Sequence, residues 1–156
     1  MAYLAAAREP FAMYSFFITI HARPADVASG PQIEIDGRVV QTLALAPAVI
    51  GAATMDCSFE SACERLTELE RMYCEPDGSF VWTSSHDELA WQVEGNLYDR
   101  QQRLLFVNVK GSCPPQRFDE LLASFGWPQT QLVFQLTRQA VFLDEAEFRR
   151  FALTAT

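Results

Sequence analysis

The first third of the chain alternates between strand-like and turn-like patterns. Aromatic and β-branched residues dominate residues 11–21 and predict a buried strand. Residues 33–35 and 38–40 have strand character and flank Asp36-Gly37. Because such a pair tolerates the positive φ of a tight turn, this segment predicts a β-hairpin. The less regular segments are residues 22–31, predicted to form a loop, and residues 43–55, predicted to form a strand that frays into a loop.

Two later segments place apolar side chains at the spacing of a helix. Residues 58–73 predict the longest helix, with Asp56 or Ser58 as its N-cap. Residues 115–125 predict a second helix. Gly126 follows it at the position where a residue with left-handed backbone conformation commonly ends a helix. The remaining predicted elements are strands at residues 80–84, 91–98, 104–110, 132–137 and 141–143, and a short C-terminal helix that Asp144 caps.

The order of these elements predicts an α+β fold in a single domain over residues 1–156. Helices are few and neighbouring strands are linked as hairpins, which favours a mainly antiparallel sheet over a doubly wound parallel one. The simplest arrangement is a two-layer sandwich, with the two main helices on one face of the sheet and the short C-terminal helix beside them. A strand–strand–helix–strand order occurs twice, in residues 33–83 and 91–136, and suggests a ferredoxin-like or pseudo-duplicated sheet.

Charge and composition limit the classes of partner that the protein is expected to bind. The chain has 156 residues, is 49% hydrophobic and carries a formal charge of −8, whereas proteins that bind nucleic acid usually present a basic field. Its longest uncharged runs are shorter than the roughly 20 apolar residues of a membrane span. Glu9 and Pro10 interrupt the pattern of a signal peptide after Arg8. We therefore expect a cytoplasmic protein that binds neither nucleic acid nor membrane; its arginine-rich, alanine-rich composition is typical of GC-rich bacterial genomes.

The four cysteines show neither a disulfide framework nor a metal-binding spacing, and we expect all of them to be reduced. If Cys63 and Cys74 shared one helix, they would lie about 16 Å apart, beyond the reach of a disulfide. The two histidines, His21 and His86, lie in different segments. No glycine-rich phosphate-binding loop is present. The sequence therefore predicts no metal and no cofactor.

Cys113 is the candidate nucleophile. It lies between a predicted strand and a predicted helix, where the helix dipole, Lys110 and Arg117 would stabilise a thiolate. A partner for it would have to be His21 or His86, brought close by the tertiary fold. His86 also has acidic neighbours in a predicted loop and is a candidate for acid–base chemistry. A buried thiol that fills the turn before the helix is the alternative interpretation.

A second candidate site lies on one face of the predicted sheet. Glu94 and Asn96 share a side of their strand by alternation, and Asn108 and Gln135 contribute if neighbouring strands present them to the same face. Glu94 could then act as an acid or base, and the amides could bind a ligand. Trp82 and Trp91 would add a binding platform if they were exposed. A solvated polar face without a site is the alternative.

No familiar motif identifies a reaction. We therefore predict a non-catalytic module that binds a protein or a small ligand, with a homodimer through an open sheet face or edge as one form of that interaction. The alternative is a small enzyme that uses Cys113 as a thiol or Glu94 as an acid–base residue. Thiol accessibility and oligomeric state are the observations that separate these two classes.

Overall fold

A single antiparallel sheet organises the chain in the computed structural model, which describes residues 12–154. Nine of its strands are hydrogen-bonded in the order β2-β3-β9-β8-β1-β7-β6-β5-β4, and β10 pairs with β1 beside this path. The described strands are β1 (Met13–Ala22), β2 (Ala28–Ile35), β3 (Arg38–Ala44), β4 (Met72–Cys74), β5 (Ser79–Thr83), β6 (Gln92–Arg100), β7 (Arg103–Cys113), β8 (Leu132–Leu136), β9 (Val141–Leu143) and β10 (Leu153–Thr154). The described helices are α1 (Pro47–Ala52), α2 (Phe59–Thr67), α3 (Pro115–Ala123) and α4 (Glu145–Ala152). The α+β class and the antiparallel sheet are therefore confirmed.

Strand β1 lies at the centre of the sheet, between β7 and β8. Its alternate side chains Phe16, Ile18 and Ile20 are buried on one face. Phe118 of α3 and Phe148 of α4 pack their rings on that face, with centroids 5.2 and 6.5 Å from the ring of Phe16. Because strand side chains alternate, the intervening residues of β1 point to the opposite face. The sheet therefore has one face packed against helices and one face without α3 and α4.

Helix α2 is shorter than the sequence predicts. Ser58 caps it as expected, because its Oγ accepts a hydrogen bond from the Ser61 amide at 3.0 Å. The helix ends at Thr67, however, and Arg71 adopts a left-handed φ of 61° that redirects the chain. Met72 then pairs with Trp82 in the sheet. The predicted final turn is wrong because these residues form β4, where ladder hydrogen bonds with β5 replace those of a helix.

The predicted tight turns are confirmed. Asp36 and Gly37 both have positive φ and join β2 to β3. Gln101 and Gln102 also have positive φ and join β6 to β7, as the predicted hairpin requires. Gly126 has a φ of 98° after α3. These positions fix the registers of the two hairpins and the end of the helix.

Two segments near the start of the chain differ from prediction. The predicted loop at residues 22–31 holds the first half of β2, which crosses Pro31 at a register shift between Ser29 and Gln32. Proline is tolerated there because β2 is an edge strand. The predicted fraying strand at residues 43–55 ends at Ala44, and Pro47 starts the short helix α1.

The order of the strands can also be compared with the predicted topology of the sheet. It does not confirm the ferredoxin-like or pseudo-duplicated arrangement, because nine strands follow one path in the described sheet and β1 pairs with β7 and β8 from later in the chain. The segment considered for a signal peptide before residue 12, including Arg8 and Glu9, lies outside the described residues. Among the described helices, none has the length and apolar character needed to cross a membrane.

Candidate functional site

The face of the sheet opposite α3 and α4, called the open face below, carries most of the side chains predicted to form a site. Glu94, Asn96, Asn108 and Gln135 all lie on it, as alternation along β6, β7 and β8 predicts. Half of the exposed large apolar side chains of the described residues lie on this face too: Phe17, Tyr73, Val81 and Tyr98. A merely solvated face would be mainly polar, whereas this one is mixed.

The predicted amides lie in one row across the sheet. Asn96 is the register partner of Asn108, Asn108 of Thr19, and Thr19 of Gln135. Thr19 donates a hydrogen bond of 2.7 Å to Asn108 Oδ1, and Asn108 Nδ2 donates one of 3.4 Å to the Tyr98 hydroxyl. Thr19 on β1 therefore lies between the amide of Asn108 on β7 and that of Gln135 on β8. The row holds Asn108 in a fixed orientation and uses one of its two Nδ2 hydrogens and one lone pair of Oδ1, so one donor and one acceptor position remain for a ligand.

His21 is the member of the open face that sequence analysis considered only as a partner for Cys113. Its ring packs between Phe106 and Phe142, with centroid distances of 5.5 and 5.8 Å. Its Nε2 lies 3.3 Å from Gln135 Oε1. Burial among these groups lowers the pKa of His21 below its usual 6.5, and the hydrogen bond with Gln135 opposes this change. The neutral imidazole is therefore the favoured form of His21 in the folded protein.

We expect His21 to make the protein less stable in mild acid. The folded protein binds a proton at His21 less readily than the unfolded chain, so the free energy of unfolding decreases as the pH falls below about 6.5. This contribution is fully present above that pH and is lost as the pH falls through the folded-state pKa. Urea unfolding at pH 7.5 and 5.5 measures it, with His21→Asn as control. Equal pH dependence in both proteins would contradict the assignment.

A shallow groove of about 420 Å³ crosses the open face between β4 and β1. Tyr73, Val81 and Phe17 supply apolar surface, and Asn96 and Asn108 supply amide groups in the adjacent row of the sheet. Three charged residues line the groove: Glu75, and Glu94 and Lys110, which are register partners on β6 and β7. The groove thus combines exposed rings with a few polar groups at defined positions, as ligand sites generally do.

Trp82 and Trp91 do not contribute to the open face. Both indoles are buried on the helix side of the sheet and contact each other edge to face, with centroids 4.9 Å apart. Trp82 Nε1 donates to the Glu70 carbonyl and Trp91 Nε1 to a Glu88 carboxylate oxygen. Their ring nitrogens are therefore satisfied within the protein, and the exposed platform considered for them is absent.

Cys113 is fully buried at the end of β7. Burial raises the pKa of its thiol, and the nearby Asp119 and Glu120 raise it further, against the smaller effect of Arg117. This is opposite to the lowering expected at a helix N-terminus. His86 is exposed in the β5–β6 loop, and no hydrogen bond joins it to Cys113 within the described residues. The arrangement therefore gives a thiolate mechanism no support.

The position of Cys74 corrects the expected separation of the thiols. Because α2 ends early and the chain reverses, Cys74 lies on β4 and is hydrogen-bonded to Cys63 rather than about 16 Å from it. Burial raises the pKa of Cys63 to about 11, and the Cys74 thiol raises it as well. All four cysteines are free in the structure.

We expect only Cys63 and Cys74 to react with 5,5′-dithiobis(2-nitrobenzoate) in the native protein, because Cys57 and Cys113 are buried. Mass spectrometry after the reaction identifies the modified positions, and unfolding in urea should release the other two thiols. Fast modification of Cys113 at pH 6 would reverse this assignment and restore the thiol-enzyme alternative.

Alternation along β1 could have revealed the residues that sequence analysis did not select. Phe17, Thr19 and His21 occupy the positions that alternate with Phe16, Ile18 and Ile20, but the apolar character of the strand as a whole made this second face hard to recognise.

Within residues 12–154, no group of three or more His, Cys, Asp or Glu side chains is placed to hold a metal ion. Comparisons with protein-family models, curated proteins and solved structures find no match to this chain.

Proposed function

We propose that the protein is a two-layer, non-catalytic module that binds a small, neutral aromatic molecule in the groove of the open face. One observation carries the proposal: Tyr73, Val81 and Phe17 line the groove in one row across the sheet, and the amides of Asn96 and Asn108 line it in the next row, in a volume suited to a small ligand. An aromatic ring would cover the apolar side chains, and a polar substituent would meet the amides. The three candidate catalytic residues, Glu94, Cys113 and His86, form no hydrogen bond or ion pair with one another among the described residues.

Binding can be tested with benzamide, which joins one ring to one carboxamide. We expect a Kd of about 1–10 mM, typical of a ligand of this size, and amide chemical-shift changes in NMR spectra at residues 94–96 and 108. Asn108→Ala and Val81→Ser should each weaken binding several-fold. Leu89→Ser is the matched control, because Leu89 is an exposed apolar residue in the β5–β6 loop and does not line the groove.

Two outcomes would contradict this function. One is the absence of shift changes in the groove at saturating benzamide. The other is benzamide binding that is as strong in Asn108→Ala and Val81→Ser as it is in the control Leu89→Ser.

Self-association through the open face is the second candidate. Glu94 and Lys110 are neighbours on the open face. In a dimer with a twofold axis between them, Glu94 of each copy would face Lys110 of the other. Sedimentation velocity tests this arrangement. Glu94→Lys and Lys110→Glu should each dissociate a dimer, and the double exchange should restore it; a wild-type monomer at all concentrations excludes this candidate.

A further inference from the structure

The pairing of β1 leaves a gap on one side of the strand. Strand β8 pairs with β1 from Ile18 to Ala22, and β10 pairs with Met13 and Tyr14. Residues 15–17 have no register partner between those two strands in the described sheet, although the Thr137 amide donates to the Phe17 carbonyl at 3.1 Å. The gap therefore interrupts the sheet next to its central strand.

A cavity of about 510 Å³ opens at this gap. Phe16, Phe148 and Phe151 line it from the helix side, and the first two are buried core residues. Ser15 and Ser112 line its outer part with hydroxyl groups. The cavity thus has an apolar interior that reaches the core and a polar rim at the open face.

Two cations stand at the rim, beside the exposed ring of Phe17. Lys110 Nζ lies 5.4 Å from the ring centroid and Arg138 Cζ lies 5.8 Å from it. Within the described residues, neither has a carboxylate oxygen within 4 Å, although acidic residues outnumber basic ones in the chain. By contrast, Arg149 contacts two carboxylates, at 2.7 and 3.0 Å. The rim therefore keeps two positive charges available to a ligand.

The acidic groups around the rim do not cancel these charges by contact. Asp36 lines the same cavity, and Glu94 is the register partner of Lys110 on the adjoining groove. Neither forms an ion pair within the described part of the chain. Lys110 and Arg138 approach the Phe17 ring from β7 and from the turn after β8, and an anion that reaches either cation would displace no existing carboxylate contact.

We propose that this cavity is a binding site for a small organic carboxylate with an apolar body. The carboxylate meets Lys110 and Arg138, and the body enters the gap against Phe16 and Phe151. The site goes beyond the proposed function, because it lies at a different place in the sheet and selects a charged ligand. It shares only Phe17 and Lys110 with the groove.

The matched probes are 3-phenylpropionate and its neutral analogue 3-phenylpropan-1-ol, titrated into the protein and followed by NMR at the amides of residues 15–17 and 111–112. We expect the carboxylate to bind with a Kd below about 10 mM and the alcohol to bind several-fold more weakly. Arg138→Gln and Lys110→Gln should each weaken carboxylate binding about threefold and leave alcohol binding unchanged. Arg65→Gln is the control, because Arg65 is an exposed cation on α2 that does not line the cavity.

Each result has a defined meaning. Preferential carboxylate binding that weakens about threefold in Arg138→Gln and is unchanged in Arg65→Gln supports the site. Equal binding of both probes, or no shift at residues 15–17 and 111–112, overturns it. Because benzamide is read at residues 94–96 and 108, failure here is distinguishable from failure of the proposed function.

Discussion

Replacing Phe118 by alanine should lower the free energy of unfolding by about 3–5 kcal/mol. The ring is fully buried in an aromatic cluster, with centroids 5.5 Å from Tyr14, 5.2 Å from Phe16 and 5.4 Å from Phe148. Its removal takes apolar area out of the core and leaves a cavity that the surrounding rings fill only in part. Urea unfolding, followed by tryptophan fluorescence, measures the change.

Phe17→Ala provides the control, because Phe17 lies on the same central sheet but is 38% exposed. We expect this change to cost less than about 1 kcal/mol. If Phe118→Ala does not fold, Phe118→Leu keeps most of the volume and should remain measurable, at a cost of about 1.5 kcal/mol. A loss at Phe118 no larger than that at Phe17 would contradict the assignment of the two faces.

Replacing Gly111 by alanine should cost about 3 kcal/mol or more. Gly111 has a φ of 139°, and an added Cβ would lie 2.2 Å from the Gln92 carbonyl oxygen and 3.0 Å from Val93 Cα. Backbone strain of this kind costs about 1–3 kcal/mol, and overpacking against atoms that cannot move costs a similar amount. Both penalties arise where β7 passes β6, so the variant should also show weakened amide protection in these two strands by hydrogen exchange.

Gly51→Ala is the matched control. Gly51 lies in α1, and an added Cβ there meets no atom within 4 Å. Alanine also favours a helix over glycine by about 0.5–1 kcal/mol, so this variant should be as stable as the wild type or more so. The prediction fails if both alanine variants unfold at the same urea concentration.

Local patterns predicted the elements whose structure depends on near neighbours. The turn at Asp36-Gly37 and the cap at Ser58 follow from backbone requirements within a few residues. The end of α2 does not, because Tyr73 continues the helical spacing and yet pairs with Val81 in the sheet. Pairing with a distant strand outweighs the local preference there.

The polar half of the candidate site was predictable. Alternation placed Glu94 and Asn96 on one side of β6, and the structure adds Asn108 and Gln135 to the same face. Its apolar half was not predictable, because Phe17 lies among core residues and exposure cannot be judged from residue type alone. The low pKa expected for Cys113 also could not be tested from sequence, since burial decides its direction.

The central position of β1 has a consequence for how the protein is made. Thr19 and Asn108 are 89 positions apart in the chain, and His21 and Gln135 are 114 apart. Although β1 is the first described strand to leave the ribosome, its neighbours β7 and β8 are synthesised much later. A nascent chain released before residue 132 therefore carries the middle of its sheet without β8, and its apolar residues stay open to association with other chains. This core can close only after residues 132–136, which form β8, have been synthesised.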